Sequence, residues 1–136
     1  MPISKLIISY ILTFAVFFAI DMAWLGFVAK DIYKKYLGNL LAENVNWAAA
    51  IIFYLLFVVG IFIFAIMPSV DKNSLQSAIV LGALFGFFTY ATYDLTNLAT
   101  LKDWSSTIVF IDIAWGAVLS GIVSTAGFYI VQYIGK

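Results

Sequence analysis

Four long runs of apolar residues, separated by short polar breaks, organise the chain of 136 residues. They cover roughly Leu6–Ala29, Trp47–Met67, Ser77–Leu101 and Ser105–Ile134. Each reaches the length of about 20 residues that a hydrocarbon core of about 30 Å demands of a helix. The breaks hold most of the charge. Lys30 to Asn46 has three Lys, Asp31 and Glu43; Pro68 to Gln76 has Asp71 and Lys72 and reads as a turn; Lys102 and Asp103 part the last two runs. The pattern predicts an all-α, integral-membrane four-helix bundle, residues 1–136 forming a single four-span domain. A cleaved signal peptide with Lys5 as its positive region fits the first run less well. That run exceeds a signal-peptide apolar region, and no A-x-A-like site follows it.

The break after the first run has a period of its own. Ile32, Tyr33, Tyr36, Leu37, Leu40 and Leu41 fall on one helical face, with Asp31, Lys34 and Lys35 off it. Two readings fit: an amphipathic helix over Lys30–Val45 lying on the membrane surface, or a short extension of the first span followed by a loop. Gly38 weakens the longer helix by about 1 kcal/mol.

Composition strengthens the membrane assignment. Hydrophobic residues make up 65% of the chain and charged ones 10%, with a mean hydropathy of +1.07. Soluble domains run about 45–50% apolar and about 25% charged, so this chain cannot cover a water-facing surface. There is no Cys and no His, which excludes disulfides, thiol nucleophiles and imidazole chemistry. All seven cations are Lys, and the net charge is zero; neither fits nucleic acid as a partner. No cofactor is expected. Lys residues divide too evenly between the side holding both termini (side A) and the opposite side (side B) to orient the chain.

Four of the seven acidic residues lie in the breaks; Asp21, Asp94 and Asp112 lie inside spans. Intramembrane carboxyls are costly and default to a functional reading. Each lies seven or eight residues from the side-B end of its span, about 10–12 Å deep at 1.5 Å per residue. Three acids at one level on three helices are expected to share a pocket. Without a Lys at their depth, they either hold protons or bind a cation, and in the latter case Asp21, Asp94 and Asp112 are the candidate metal ligands. Tyr90, Tyr93, Thr96 and Asn97 surround Asp94, with Thr92 and Thr100 close by. That end of the third span is polar nearly all round, which implies enclosure or a wet cavity. Ile20-Asp21-Met22-Ala23-Trp24 and Ile111-Asp112-Ile113-Ala114-Trp115 echo each other, either as one local device used twice or by coincidence. Trp24 and Trp115 are candidate walls of the pocket; Trp47 and Trp104 are expected as interfacial anchors. Gly82 and Gly86, and Gly116, Ser120 and Ser124, are small residues placed for close helix packing. The second span, with Tyr54 and Gly60 as its few features, reads as scaffold.

At these residues the chain resembles a known family. Asp21 to Gly26, Tyr33, Leu37-Gly38, Phe53-Tyr54, the run Tyr90-Ala91-Thr92-Tyr93-Asp94-Leu95-Thr96-Asn97-Leu98-Ala99-Thr100-Leu101, then Trp104, Asp112 and Trp115-Gly116, are similar to the small bacterial membrane proteins of domain-of-unknown-function family 2177. The resemblance implies a four-span protein of the bacterial inner (cytoplasmic) membrane. It implies no activity and carries no role to any residue.

Three functions fit the residues. The acids bind a cation, a proton or a cationic ligand or lipid head group in transport or sensing, with a homo-oligomer expected for a pore or carrier. Alternatively they divide acid and base roles in a lipid-modifying enzyme near side B. Alternatively they are protonated helix–helix contacts in a structural or assembly subunit.

Overall fold

The structure is a computed structural model that describes residues 1–136. Four helices are long and apolar enough to cross a membrane: α1 (Ile3–Val28), α3 (Trp47–Asp71), α4 (Leu75–Thr100) and α5 (Ser106–Ile134). A fifth, short helix, α2 (Lys30–Leu37), follows α1, and there is no strand.

The helix starts are capped locally. The side chains of Asn46, Ser74 and Ser105 accept from the backbone N–H of Ala49, Ser77 and Ile108 at 3.2, 3.1 and 3.2 Å, each satisfying one donor that a helix N-terminus leaves free. Two of the spans widen into a π-helical turn, at Trp24–Val28 in α1 and Phe62–Ile66 in α3. The second carries α3 past Pro68, so the expected turn over Pro68–Gln76 occupies only the later part of that break. The helix runs through Pro68 to Asp71, because the widened turn just before it removes the carbonyl clash and the missing N–H that normally stop a helix at proline. Chain reversal waits for Lys72–Asn73, with Asn73 at φ 49°.

The segment after α1 falls between its two expected forms. Its helix ends at Leu37, one 3-10 turn covers Gly38–Leu40, and the chain is then irregular to Asn46. Leu37 is buried, Ile32, Tyr33 and Tyr36 are partly buried, and Leu40 and Leu41 stay exposed. The buried face therefore ends with the α-helix at Leu37, short of the apolar period that runs on to Leu41 in the sequence.

Around the bundle the spans follow the order α1, α3, α4, α5. Contact is most extensive between α4 and α5. A β-carbon on Gly86 would run into the carbonyl of Gly116, and one on Gly82 would lie 2.7 Å from the Ser120 carbonyl oxygen. The small residues therefore serve the packing role expected of them, letting two backbones touch where lipid offers no hydrophobic drive. At side A the Lys5 Nζ donates to the Lys136 carbonyl at 3.1 Å and Gln132 Nε2 to Asn73 Oδ1 at 2.7 Å. The apolar core runs from mid-bundle toward side A and is built around Phe17, Ile66, Leu119 and Val123.

The ring of helices is incomplete on one side. The Phe62–Ile66 turn of α3 packs on α4 and Gly60 lies against the Phe85 ring, whereas the part of α3 nearer side B barely approaches α4. Only rings bridge the gap: Phe57 meets Phe85 at 5.2 Å and Tyr90 at 6.0 Å between centroids. The two spans thus part toward side B and leave a lateral cleft.

Substituting Gly86→Val should destabilise the bundle by about 1–3 kcal/mol through overpacking, while Gly26→Ala, with nothing within 4 Å of its new β-carbon, should leave it unchanged. Thermal unfolding in a non-ionic detergent compares the two.

Candidate functional site

The cleft leads into a cavity of about 410 Å³ lined by Asp21, Trp24 and Leu25 of α1, Tyr33 of α2, Phe53 and Phe57 of α3, Thr89, Tyr90 and Tyr93 of α4, and Asp112 and Trp115 of α5. Every helix contributes, and no Lys lines the cavity. Its walls are mostly aromatic, and its polar groups are two carboxyls and the hydroxyls of Thr and Tyr.

Each carboxyl is met by donors from other helices. Asp21 accepts from the Tyr54 hydroxyl of α3 at 2.8 Å and from the Trp115 indole of α5 at 3.2 Å, one donor on each oxygen. Asp112 accepts the hydroxyl of Tyr33, and that hydroxyl in turn receives the Trp24 indole N–H at 3.2 Å. Burial, and then the bond to Asp112, raise the Tyr33 phenol above its ordinary range, so it stays a neutral donor.

The echoed strings now have a geometric meaning. Trp24 and Trp115 stack face to face, 4.2 Å between centroids and 7° between planes. The Trp of each string supplies the Asp of the other, directly from Trp115 to Asp21 and through Tyr33 from Trp24 to Asp112. α1 and α5 run in opposite directions, so a pseudo-twofold exchange of this kind is the natural way for two similar strings to meet.

Asp94 stands apart. It is fully buried, lies outside the lining, and faces the carboxyl of Asp112 and the indole of Trp104. Neither of its oxygens nor the Trp104 Nε1 has a hydrogen-bond partner. Of the three carboxyls expected to share a pocket, two line the cavity and Asp94 backs onto one of them. No group of three or more acidic or other ligating side chains that could hold a metal ion is present. The three levels agree, but the helix rotations differ: Asp21 and Asp112 look into the cavity, and Asp94 looks at the back of Asp112.

Other candidates divide. Trp24, Trp115, Tyr90 and Tyr93 line the cavity, the Tyr90 ring lying directly on Gly116. Thr96 does not; it is exposed, and its hydroxyl donates to the carbonyls of Thr92 and Tyr93. Asn97 is half-buried beside Tyr93 and outside the lining. The polar end of α4, read as enclosed or lining a wet cavity, divides: Tyr90 and Tyr93 line the cavity, and Thr92, Thr96 and Thr100 do not. Thr92, Thr96 and Thr100 face outward because each hydroxyl donates to a carbonyl four residues back, leaving nothing polar unsatisfied for lipid to reject. Trp104 is not an outward anchor. The Leu101–Ser105 loop turns through Asp103 at φ 63° and the Trp104 ring packs edge-on to Tyr93 at 5.8 Å.

Tyr33, Tyr54, Phe53, Phe57, Leu25 and Thr89 were not anticipated here. A signal existed for Tyr54, a hydroxyl isolated in an otherwise apolar span, which must find a partner when buried. Tyr33 carried none beyond its place on the apolar face of α2.

A family described as a predicted membrane protein, DUF2177, matches residues 6–129. The chain belongs to this family. No curated protein and no solved structure matches it. As a DUF2177 member with four helices able to span a bilayer, the protein contacts lipid on its exposed faces.

Tyr54→Phe should cost about 0.6–2 kcal/mol, the range for interhelical hydrogen bonds in membranes, because it strips one donor from buried Asp21. Thr96→Val should change stability by less than about 0.5 kcal/mol. Unfolding curves in the same detergent separate a tie between helices from a bond within one.

Proposed function

We propose that the protein binds the cationic head of a membrane-borne amphiphile, with Asp21 and Asp112 supplying negative charge and Trp24, Trp115, Tyr33 and Tyr90 supplying aromatic faces. The observation that carries this reading is the joint lining of one cavity by two carboxyls and an aromatic wall, with no Lys among them. Cations favour the faces of Trp and Tyr by about 0.5–2 kcal/mol each, more when water is excluded. The gap between α3 and α4 supports entry from the bilayer, since an alkyl tail can remain between the spans while its head reaches the carboxyls. The packed core on the side-A flank of the cavity favours binding or sensing over passage through the bundle. A place in the bacterial inner membrane is part of the same proposal.

A second reading draws on one observation. Asp21 has a donor on each oxygen from two other helices, which supports a role for this one residue as a tie in the bundle alongside its place in the cavity. The lipid-modifying alternative shares the lateral cleft, but a reacting group has no specific observation in its favour.

Dodecyltrimethylammonium, a permanently charged probe, tests the proposal against neutral dodecanol by calorimetric titration of the protein in dodecyl maltoside, with empty micelles as reference. The charged probe should bind about tenfold or more tightly than the neutral one, equivalent to about 1.4 kcal/mol, and Asp112→Asn should remove the preference. Equal affinity for both probes, or a preference untouched by Asp112→Asn, overturns the reading.

A further inference from the structure

Behind the cavity lies a second group of polar atoms that the binding reading does not use. Asp94 is fully buried, both of its oxygens lack any donor, and the one indole N–H that faces it, on Trp104, is also buried and unpartnered. An ionised carboxylate in that position would have lost its water and gained nothing in return, a cost that ordinarily forces neutralisation. Its neighbour Asp112 is the opposite case. It receives the Tyr33 hydroxyl, which suits an ionised acceptor, and it faces both the cavity and Asp94.

The groups that face this pair come from three helices. They are Asp21 on α1, Tyr33 on α2, and Tyr90 and Tyr93 on α4, while Tyr54 on α3 faces Asp21 instead. Tyr33 donates its hydroxyl to Asp112, and Asp21 is a further carboxyl beside it. No Lys is among them, so the pair has no resident counter-cation.

We infer that Asp94 and Asp112 share a single exchangeable proton, carried on Asp94, and that a cation held against Asp112 in the cavity displaces it. The inference rests on the cavity's being a cation site, as proposed above. Its logic is electrostatic. With the cavity free of a cation, two carboxylates side by side in low dielectric cannot both ionise, and one proton stays. A cation beside Asp112 supplies the positive charge that the proton provided. Asp94 then ionises with the unpartnered Trp104 indole N–H as its donor, its proton passes to solvent, and one positive charge has replaced another at constant net charge. Asp94 is thus a positioning and coupling residue, outside the ligand's reach, and it makes binding at Asp112 proton-linked.

The sign follows. The proton competes with the cation, so affinity is lowest in acid and rises with pH by about tenfold per unit while one proton is displaced. The experiment titrates dodecyltrimethylammonium, which has no proton of its own, into the wild-type protein in dodecyl maltoside. Running it in buffers of different ionisation enthalpy counts the protons released. The expected result is about one proton per bound cation, and for Asp94→Asn continued binding with no proton release and a flat pH profile. Wild-type binding without proton release overturns the inference and leaves the cavity reading standing, as does an Asp94→Asn variant that still releases a proton. Absence of probe binding at every pH by folded wild-type protein instead removes the cavity reading and the coupling with it. Should Asp94→Asn fail to fold, the wild-type proton count decides alone.

Discussion

A carboxyl group in a hydrocarbon environment must be answered by a donor or a proton, and the side-B half of this bundle is arranged around that requirement. Three such groups are buried, and each solves the problem differently. Asp21 takes a donor from α3 and one from α5; Asp112 takes Tyr33 from the short helix α2; Asp94 takes none and turns to Asp112. Because the donors sit on other helices, satisfying the acids also fixes where those helices stand.

The two ends of the molecule are held by different physics. From mid-bundle toward side A the spans close through apolar packing of Phe17, Ile66, Leu119 and Val123, with buried Ser9, Thr13 and Ser69 donating to carbonyls of their own helices. Toward side B the polar network and the Trp24–Trp115 stack take over, and α3 swings away from α4. The close approach of α4 and α5 at Gly82, Gly86 and Gly116 anchors the arrangement, because it sets the rotation of both helices and so the directions of Tyr90, Asp94 and Asp112.

Much of this could be read in advance, and the part that could not has a common cause. Span number, the placement of the acids at one depth and the small-residue faces follow from one-dimensional pattern, since helix rise converts residue number into height. Depth, though, says nothing about azimuth. Asp94 adjoins Asp112 but faces it from outside the cavity, so only Asp21 and Asp112 of the three acids line it. Thr92, Thr96 and Thr100 misled in the same way. Their polarity pointed inward until their hydroxyls were seen to bond within their own helix.

Residue order alone determined that this chain belongs in a membrane, because 65% hydrophobic residues in span-length runs leave no other stable place for its surface. It also determined which carboxyls are expensive. Tertiary structure decided what meets them. Tyr54 emerged from a span that reads as scaffold and Tyr33 from a segment that reads as interface, and they became the hydroxyl donors to Asp21 and Asp112. A hydrogen bond between helices depends on their relative rotation and tilt, which packing sets collectively and which no local pattern in any one helix contains.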